Sequence, residues 1–283
     1  MHSVAIIITV FRNPPRLAAL LDNMFWAGIP DIPIYVYEDT SPEPDAKELH
    51  EVYGNVCKNW GIRHRWTPEW SCMHGVIEHA MRDTKEDWII YIPDDVMFTR
   101  GSLWNEYAGV LAYGRDFVGG IQAPFWTAME LQDMEILPSR SLMFNGWVPE
   151  NVPRNPHWDY PGLPRKYINL NGAGFSLNRQ LFRAMGGWPR QSWRLDEWAG
   201  YQAWTNGMVC ITLPGPPRIH WHGGSTHLMP DKHPDFSSVQ AWVEATGKTP
   251  SECGNEVSLI MDKIPDGNWP GILKFFQEGG KLV

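Results

Sequence analysis

Two apolar, β-branched runs constrain the fold most: Val4 to Val10 (VAIIITV) and Trp88 to Ile92 (WIIYI). Neither alternates polar with apolar residues, so each reads as a strand covered on both faces, the habit of a parallel sheet sandwiched by helices. The segments between them have helical or strand periodicity. Pro14 and Pro15 suit a first helical turn, Leu17, Leu20, Leu21, Met24 and Phe25 share one face, and Gly28 is placed to end the helix. Ile34 to Tyr37 supply a second strand, closed by Glu38-Asp39. Asp45 with Glu48 reads as a capping box for a helix that turns Leu49, Val52, Tyr53 and Val56 inward. Ile62 to Trp66 give a third strand, Ser71 is placed to cap a helix carrying Met73, Val76, Ile77 and Ala80, and Trp88 to Ile92 form the fourth strand. Strands separated by helices of ten to fifteen residues imply an α/β chain with right-handed crossovers. Ligands of such sheets bind beyond the carboxyl ends of the strands, where Glu38-Asp39 and Asp94-Asp95 fall.

The second half has another texture. From about Pro124 to Lys166 the periodicity fades and Pro, Trp, Asn and Arg accumulate, the mark of a functional or mobile segment. Order resumes at Tyr167 to Leu170, followed by Asn171-Gly172-Ala173-Gly174-Phe175. Asn178 to Met185 reads as a helix, Leu195-Asp196-Glu197-Trp198 leads into another through Trp204, and Val209 to Leu213 as a strand. Arg218 to Trp221 form a short strand ending in His220-Trp221-His222, and two further helices are expected near 239–246 and 269–277.

Composition closes off several classes. With 43% hydrophobic and 20% charged residues the chain is not disordered. A net charge of −8 without a Lys/Arg-rich run argues against holding nucleic acid by charge alone. The apolar run from Val4 to Phe11 falls short of the ~20 residues of a membrane helix, and it lacks the flanks of a secretory signal. Four cysteines, Cys57, Cys72, Cys210 and Cys253, form no CxxC pair, so reduced thiols and a cytoplasmic setting are expected. No GxxxxGK[ST], GxGxxG, HExxH or GxSxG sequence occurs, which argues against P-loop hydrolysis, dinucleotide redox, zincin proteolysis and serine-esterase chemistry.

Three acidic pairs and a histidine pair carry the candidate chemistry. Adjacent carboxylates at Asp94-Asp95 repel unless a cation shares them, and Mn²⁺ or Mg²⁺ takes such oxygen ligands together with substrate phosphates; the alternative is that Asp95 caps a turn. Glu38-Asp39 either receives hydrogen bonds from a base or ribose or closes a solvated turn. Asp196-Glu197 either supplies a general base or complements a helix dipole. His220 and His222 share one side of a strand, a spacing that suits a metal contact. Sixteen tryptophans offer flat platforms for sugar rings, with Trp126, Trp147 and Trp158 in the 125–160 loop as candidates.

In this order, these pieces resemble a GT-A glycosyltransferase, most closely the large family 2 group. VAIIITVFRNPPRLAALLDNM resembles that family's first strand and helix, YVYEDTSPEPD its second strand, and WIIYIPDDVMF the strand with the DxD-type motif. NGAGFSLNRQLFRAMGGWP with LDEWAGYQAW resembles the acceptor-side segment, and RIHWHGGST a C-terminal histidine segment. The likeness spans roughly residues 4 to 226. It implies a GT-A, Rossmann-like, mostly parallel central sheet flanked by helices, with a loop-rich acceptor region. It also implies transfer of a sugar from a nucleotide-diphosphate sugar, a UDP-sugar being favoured, to a hydroxyl acceptor, with Mn²⁺ or Mg²⁺ as cofactor. By position, Asp95 becomes the principal metal ligand with Asp94 as its partner, and His220 or His222 approaches the metal. Val10, Phe11, Arg12, Glu38, Asp39 and Asp94 line the nucleotide. Gly172, Ala173, Gly174, Trp126, Trp147 and Trp198 fall to the sugars. Glu197 or Asp196 serves as the base, the alignment of GYQAW favouring Glu197. The chain departs from the pattern twice: the motif reads Asp-Asp-Val without a third acid, and Asp196-Glu197 reverses the usual Glu-Asp.

The expected organisation is one catalytic domain over 1–226, divided into a donor half (1–122) and an acceptor half (123–226, with the Trp/Pro-rich loop at 124–166), and a helical extension over 227–283 packed on it. Rival readings are a nucleotidyltransferase, disfavoured by FRNPPR where a Gly-rich triphosphate loop would stand, and a sugar-binding module, which leaves the acidic pairs unexplained. A hydroxylated DNA base is a minority acceptor option that would rely on Arg140, Arg154, Arg165 and Lys166.

Overall fold

The two apolar runs lie side by side at the centre of the molecule. In the computed structural model, which describes residues 2–115, 117–127, 164–170, 172–187, 195–215, 218–220 and 238–263, β1 (Val4–Val10) is buried along its whole length. It pairs in parallel with β2 (Ile34–Glu38) on one side and β4 (Trp88–Pro93) on the other. Together with β3 (Arg63–Trp66), β6 (Val118–Gln122), β8 (Arg165–Tyr167), β9 (Phe175–Asn178) and β10 (Val209–Thr212), these strands form an eight-stranded sheet ordered β3-β2-β1-β4-β9-β6-β10-β8. Six of the eight run parallel; β9, between β4 and β6, and the edge strand β8 oppose them. A small second sheet, ordered β5-β11-β7, joins β5 (Val96–Phe98), β11 (Arg218–His220) and β7 (Phe125–Thr127).

Helices cover both faces. On one, Leu17, Leu20, Leu21 and Met24 of α1 (Pro14–Ala27) meet Ile6, Ile8, Ile90 and Ile92. On the other, Val76, Ile77, Ala80 and Met81 of α3 (Cys72–Asp83) meet Ile7, Ile89 and Tyr91. Each such aliphatic side chain contributes roughly 1.5–3 kcal/mol by leaving water. The remaining helices are α2 (Ala46–Asn59), α4 (Ser102–Tyr113), α5 (Arg179–Met185), α6 (Leu195–Thr205), α7 (Ser238–Thr246) and α8 (Pro250–Asp262). Trp242 of α7 and Cys253 of α8 join the same core as α3 and α6, so the C-terminal helices pack on this sheet. No helix among the described residues is long and apolar enough to cross a membrane.

Two expected caps are used differently. Asp45 stands at the N-cap of α2 but makes no side-chain cap bond; its carboxylate takes both guanidinium nitrogens of Arg12, each at 2.8 Å. Ser71, at the N-cap of α3, likewise makes no cap bond and turns to Asp39 instead. The chain gives up two helix caps and gains fixed side chains at the carboxyl ends of β1 and β2. The expected helix near 269–277 lies outside the described residues.

Candidate active site

The carboxyl ends of β1, β2 and β4 place the first two acidic pairs together. Successive strand residues face opposite sides, so Glu38 and Asp39 diverge. Glu38 turns inward: it is buried, and its Oε2 is met by His50 Nδ1 at 2.9 Å and His64 Nε2 at 3.0 Å. Asp39 lies under the end of β1, and its Oδ1 accepts from Ser71 N at 2.9 Å, Thr67 Oγ1 at 3.2 Å and Ser71 Oγ at 3.3 Å. Burial pushes the Asp39 carboxyl up to about 7, while those donors pull the other way. Above it, Phe11 and Trp70 stack with ring centroids 5.7 Å apart and planes 4° from parallel.

Val10 ends β1 in the core, and Arg12 follows in a left-handed conformation, φ 53°. An L-residue adopts that geometry at a cost of about 1–2 kcal/mol. The Asp45 ion pair and a 2.5 Å contact from Nη1 to Ser41 Oγ hold Arg12 there. Cys72, the first residue of α3, is left-handed as well, φ 59°. Backbone strain of this kind gathers at ligand clamps.

Strand β4 leads directly into the small sheet. Asp94 is buried, and Asp95 begins the turn into β5. Antiparallel pairing of β11 with β5 sets His220 opposite Val96, which brings His220 Nε2 to 3.6 Å from Asp95 Oδ2. The other oxygen, Asp95 Oδ1, is buried with no hydrogen-bond partner among the described residues. A carboxylate with an orphaned buried oxygen beside an imidazole is a donor set that suits Mn²⁺ or Mg²⁺. Among the described residues no group of three or more such donors is assembled; His222 lies outside them.

Asp196 opens α6, and its Oδ2 accepts from Gly172 N at 3.0 Å. Burial pushes its carboxyl up to about 6. Burial raises the Tyr91 hydroxyl well above its ordinary range, and the charges of Asp95, Asp94 and Asp196 push it the same way. Glu197 takes another direction. It lines a cavity of about 230 Å³ with Ile168, Asn169, Tyr201 and Trp242 against α8.

Of the residues expected to touch sugars, Gly172 and Ala173 lie beside Asp196 and Arg218, and Gly174 is left-handed at φ 113°. Trp198 is 4% exposed and packs edge-on to Trp242, 5.0 Å between centroids. Trp126 falls in β7, whose side chains are not described, and Trp147 and Trp158 lie outside the described residues. So do Arg140 and Arg154, whereas Lys166 donates to the Met261 carbonyl at 2.6 Å.

Sequence reasoning passed over Trp70 and the buried pair of Arg218 and Glu106. Glu106 had a signal, being the one charge in the otherwise uncharged helix SLWNEYAGVLAY: a lone buried carboxylate demands a partner.

The frame matches solved structures. Over 92% of this chain and 70% of the other, it resembles the mannosyltransferase PcManGT from Pyrobaculum calidifontis, solved with GDP-Man and Mn²⁺, at a TM-score of 0.58 and 15% identity. It has the GT-A fold. A second GT-A structure, GalNAc-T7 with UDP, GalNAc and Mn²⁺, aligns at a TM-score of 0.54 and 13% identity, covering 78% of this chain but only 44% of that one. No family model matches the sequence, and no curated protein does. At such identities the likeness is one of fold, and the side chains must carry the chemistry.

Proposed function

We propose that this GT-A chain is a metal-dependent glycosyltransferase that moves a sugar from a nucleotide-diphosphate sugar to a hydroxyl acceptor. The observation that carries the reading is Asp95, just beyond β4, with one oxygen 3.6 Å from His220 and the other buried and unpartnered among the described residues. Both solved neighbours hold Mn²⁺ with a nucleotide or nucleotide-sugar, which supports the same use here.

Asp95 and His220 would hold the cation, with Asp94 beside them and His222 as a further candidate. When bound, Mn²⁺ or Mg²⁺ supplies positive charge against the departing diphosphate. Asp39, ionised above about pH 7, accepts a hydrogen bond from a ring N–H of the base, and the Phe11–Trp70 stack borders that position. A UDP-sugar is the favoured donor. Asp196, ionised above about pH 6 and fixed by Gly172 N, takes the proton of the acceptor hydroxyl. The acceptor oxygen then bonds to the anomeric carbon as the carbon–oxygen bond to the diphosphate breaks. Attack opposite the leaving group inverts the anomeric centre. Asp196 thus replaces Glu197 as the preferred base, because Glu197 lines a separate cavity against α8.

On this reading residues 1–122 serve the donor and residues 123–226 the acceptor. The test is donor hydrolysis across a panel of nucleotide-sugars. Hydrolysis of one donor that requires Mn²⁺ and vanishes in Asp95→Ala supports the reading; hydrolysis indifferent to both refutes it.

A further inference from the structure

We infer that Arg218, clamped by Glu106, is a positioning residue that sets the metal ligands and the catalytic base in one frame, an inference that rests on the function proposed above. Arg218 and Glu106 are both fully buried and form an ion pair between β11 and α4. Ser176 of β9 donates to Glu106 Oε1 at 2.6 Å, and the guanidinium lies over the Phe98 ring of β5, 5.3 Å from its centroid. One cation therefore ties α4, β5, β9 and β11 together beneath the site.

Its two outward consequences fall on opposite sides of the chemistry. β11 is three residues long, and positions two apart share a face, so an anchor at Arg218 fixes the height and rotation of His220 against Asp95. Arg218 Nη1 also donates to the Ala173 carbonyl at 3.4 Å, one residue after the Gly172 N–H that holds Asp196. The backbone is cleared for this reach. A Cβ on Gly174 would stand 2.0 Å from Arg218 Nη1 and 2.8 Å from the Tyr91 carbonyl, at a φ of 113° that side chains rarely adopt. Structural anchoring alone accounts for a buried ion pair. It does not account for a guanidinium that touches the segment whose Gly172 N–H holds Asp196 while its own strand carries the metal-side histidine.

The experiment exploits the behaviour of buried pairs. Removing one partner strands a charge, whereas replacing both by apolar residues of similar size is often tolerated. Three forms of the full chain are compared: wild type, Arg218→Lys and the double variant Glu106→Leu/Arg218→Met. Each is assayed for cooperative unfolding, Mn²⁺ affinity by electron paramagnetic resonance of the free ion, and kcat and donor KM. The double variant is expected to unfold cooperatively while binding Mn²⁺ about 10–100-fold more weakly and losing kcat by about the same factor, the usual range for a group that orients metal ligands. At saturating Mn²⁺, donor KM should change by less than about threefold, because the nucleobase is held at Asp39, just beyond β2. Arg218→Lys keeps the charge for Glu106 but not the fork that also reaches Ala173, so it should recover Mn²⁺ affinity more fully than kcat. A folded double variant with wild-type Mn²⁺ affinity and kcat overturns the inference. If the double variant does not fold, Arg218→Lys decides, and unchanged kcat in it overturns the inference equally. Wild-type protein that binds no Mn²⁺ overturns the proposed function instead.

Discussion

Asp39 and Asp95 both follow strands of the central sheet, one residue beyond Glu38 of β2 and two beyond Pro93 of β4, yet the protein treats them in opposite ways. Asp39 Oδ1 collects three donors from Thr67 and Ser71, and even the cap of α3 is diverted to supply them. Asp95 Oδ1, also buried, collects none among the described residues. A buried polar atom left unpaired costs about 1–3 kcal/mol, so a fold that satisfies one carboxylate and not its neighbour leaves the second for something it does not itself supply. In the proposed function Asp39 holds a preset orientation, and Asp95 receives the cation.

Substitutions can break that contrast. Asp95→Ala should have the largest effect, a fall in transfer of about three orders of magnitude or more, because several kcal/mol of leaving-group stabilisation go with the metal. Measured by initial rates at saturating Mn²⁺, a loss below tenfold would place the metal elsewhere. Next comes Asp196→Asn, expected to lower kcat by about 10²–10⁴-fold as a general base is removed. With the wild-type carboxyl pushed up to about 6, kcat should rise with pH through that value, and the asparagine variant should lose that limb.

Asp39→Asn should raise donor KM by about tenfold, the value of one charge-assisted hydrogen bond. The fold holds this carboxyl at about 7, above its unfolded value of ~3.9, so the folded chain binds the extra proton and Asp39 subtracts stability as pH rises from about 4 to 7. Donor KM should therefore improve as pH rises through about 7 in the wild type but not in Asp39→Asn, while urea unfolding at pH 8 should show the variant to be the more stable chain. Glu197→Gln should matter least, changing kcat by less than about threefold, under ~1 kcal/mol. A larger drop would return the base to Glu197.

The sequence showed the donor side well because its signals are local. VAIIITV and WIIYI are strands by composition, Pro14 and Gly28 bracket α1, and parallel crossover topology follows from the alternation. The elements from α4 onward were harder for identifiable reasons. β6 reads VGGIQ, and its two glycines resemble a break; they are present because Cβ atoms there would strike Leu181 and Leu170 at 2.9 and 2.6 Å. α4 begins after a left-handed Gly101 with no side-chain cap, so nothing marks its start, and Gly109 interrupts it to admit Leu213. α8 did carry a signal, the capping box of Thr249 and Glu252 with Pro250 at its first turn. The pairing of Arg218 with Glu106 joins residues 112 positions apart, a contact that no local pattern encodes.

The most direct test is calorimetric titration of a nucleoside diphosphate into wild type and Asp95→Ala, each with and without Mn²⁺. If Asp95 grips a cation that bridges to the diphosphate, Mn²⁺ should tighten binding to the wild type by about tenfold or more, ~1.4 kcal/mol, and leave Asp95→Ala unchanged. Equal tightening in both proteins, or none in either, would contradict a metal held at the end of β4.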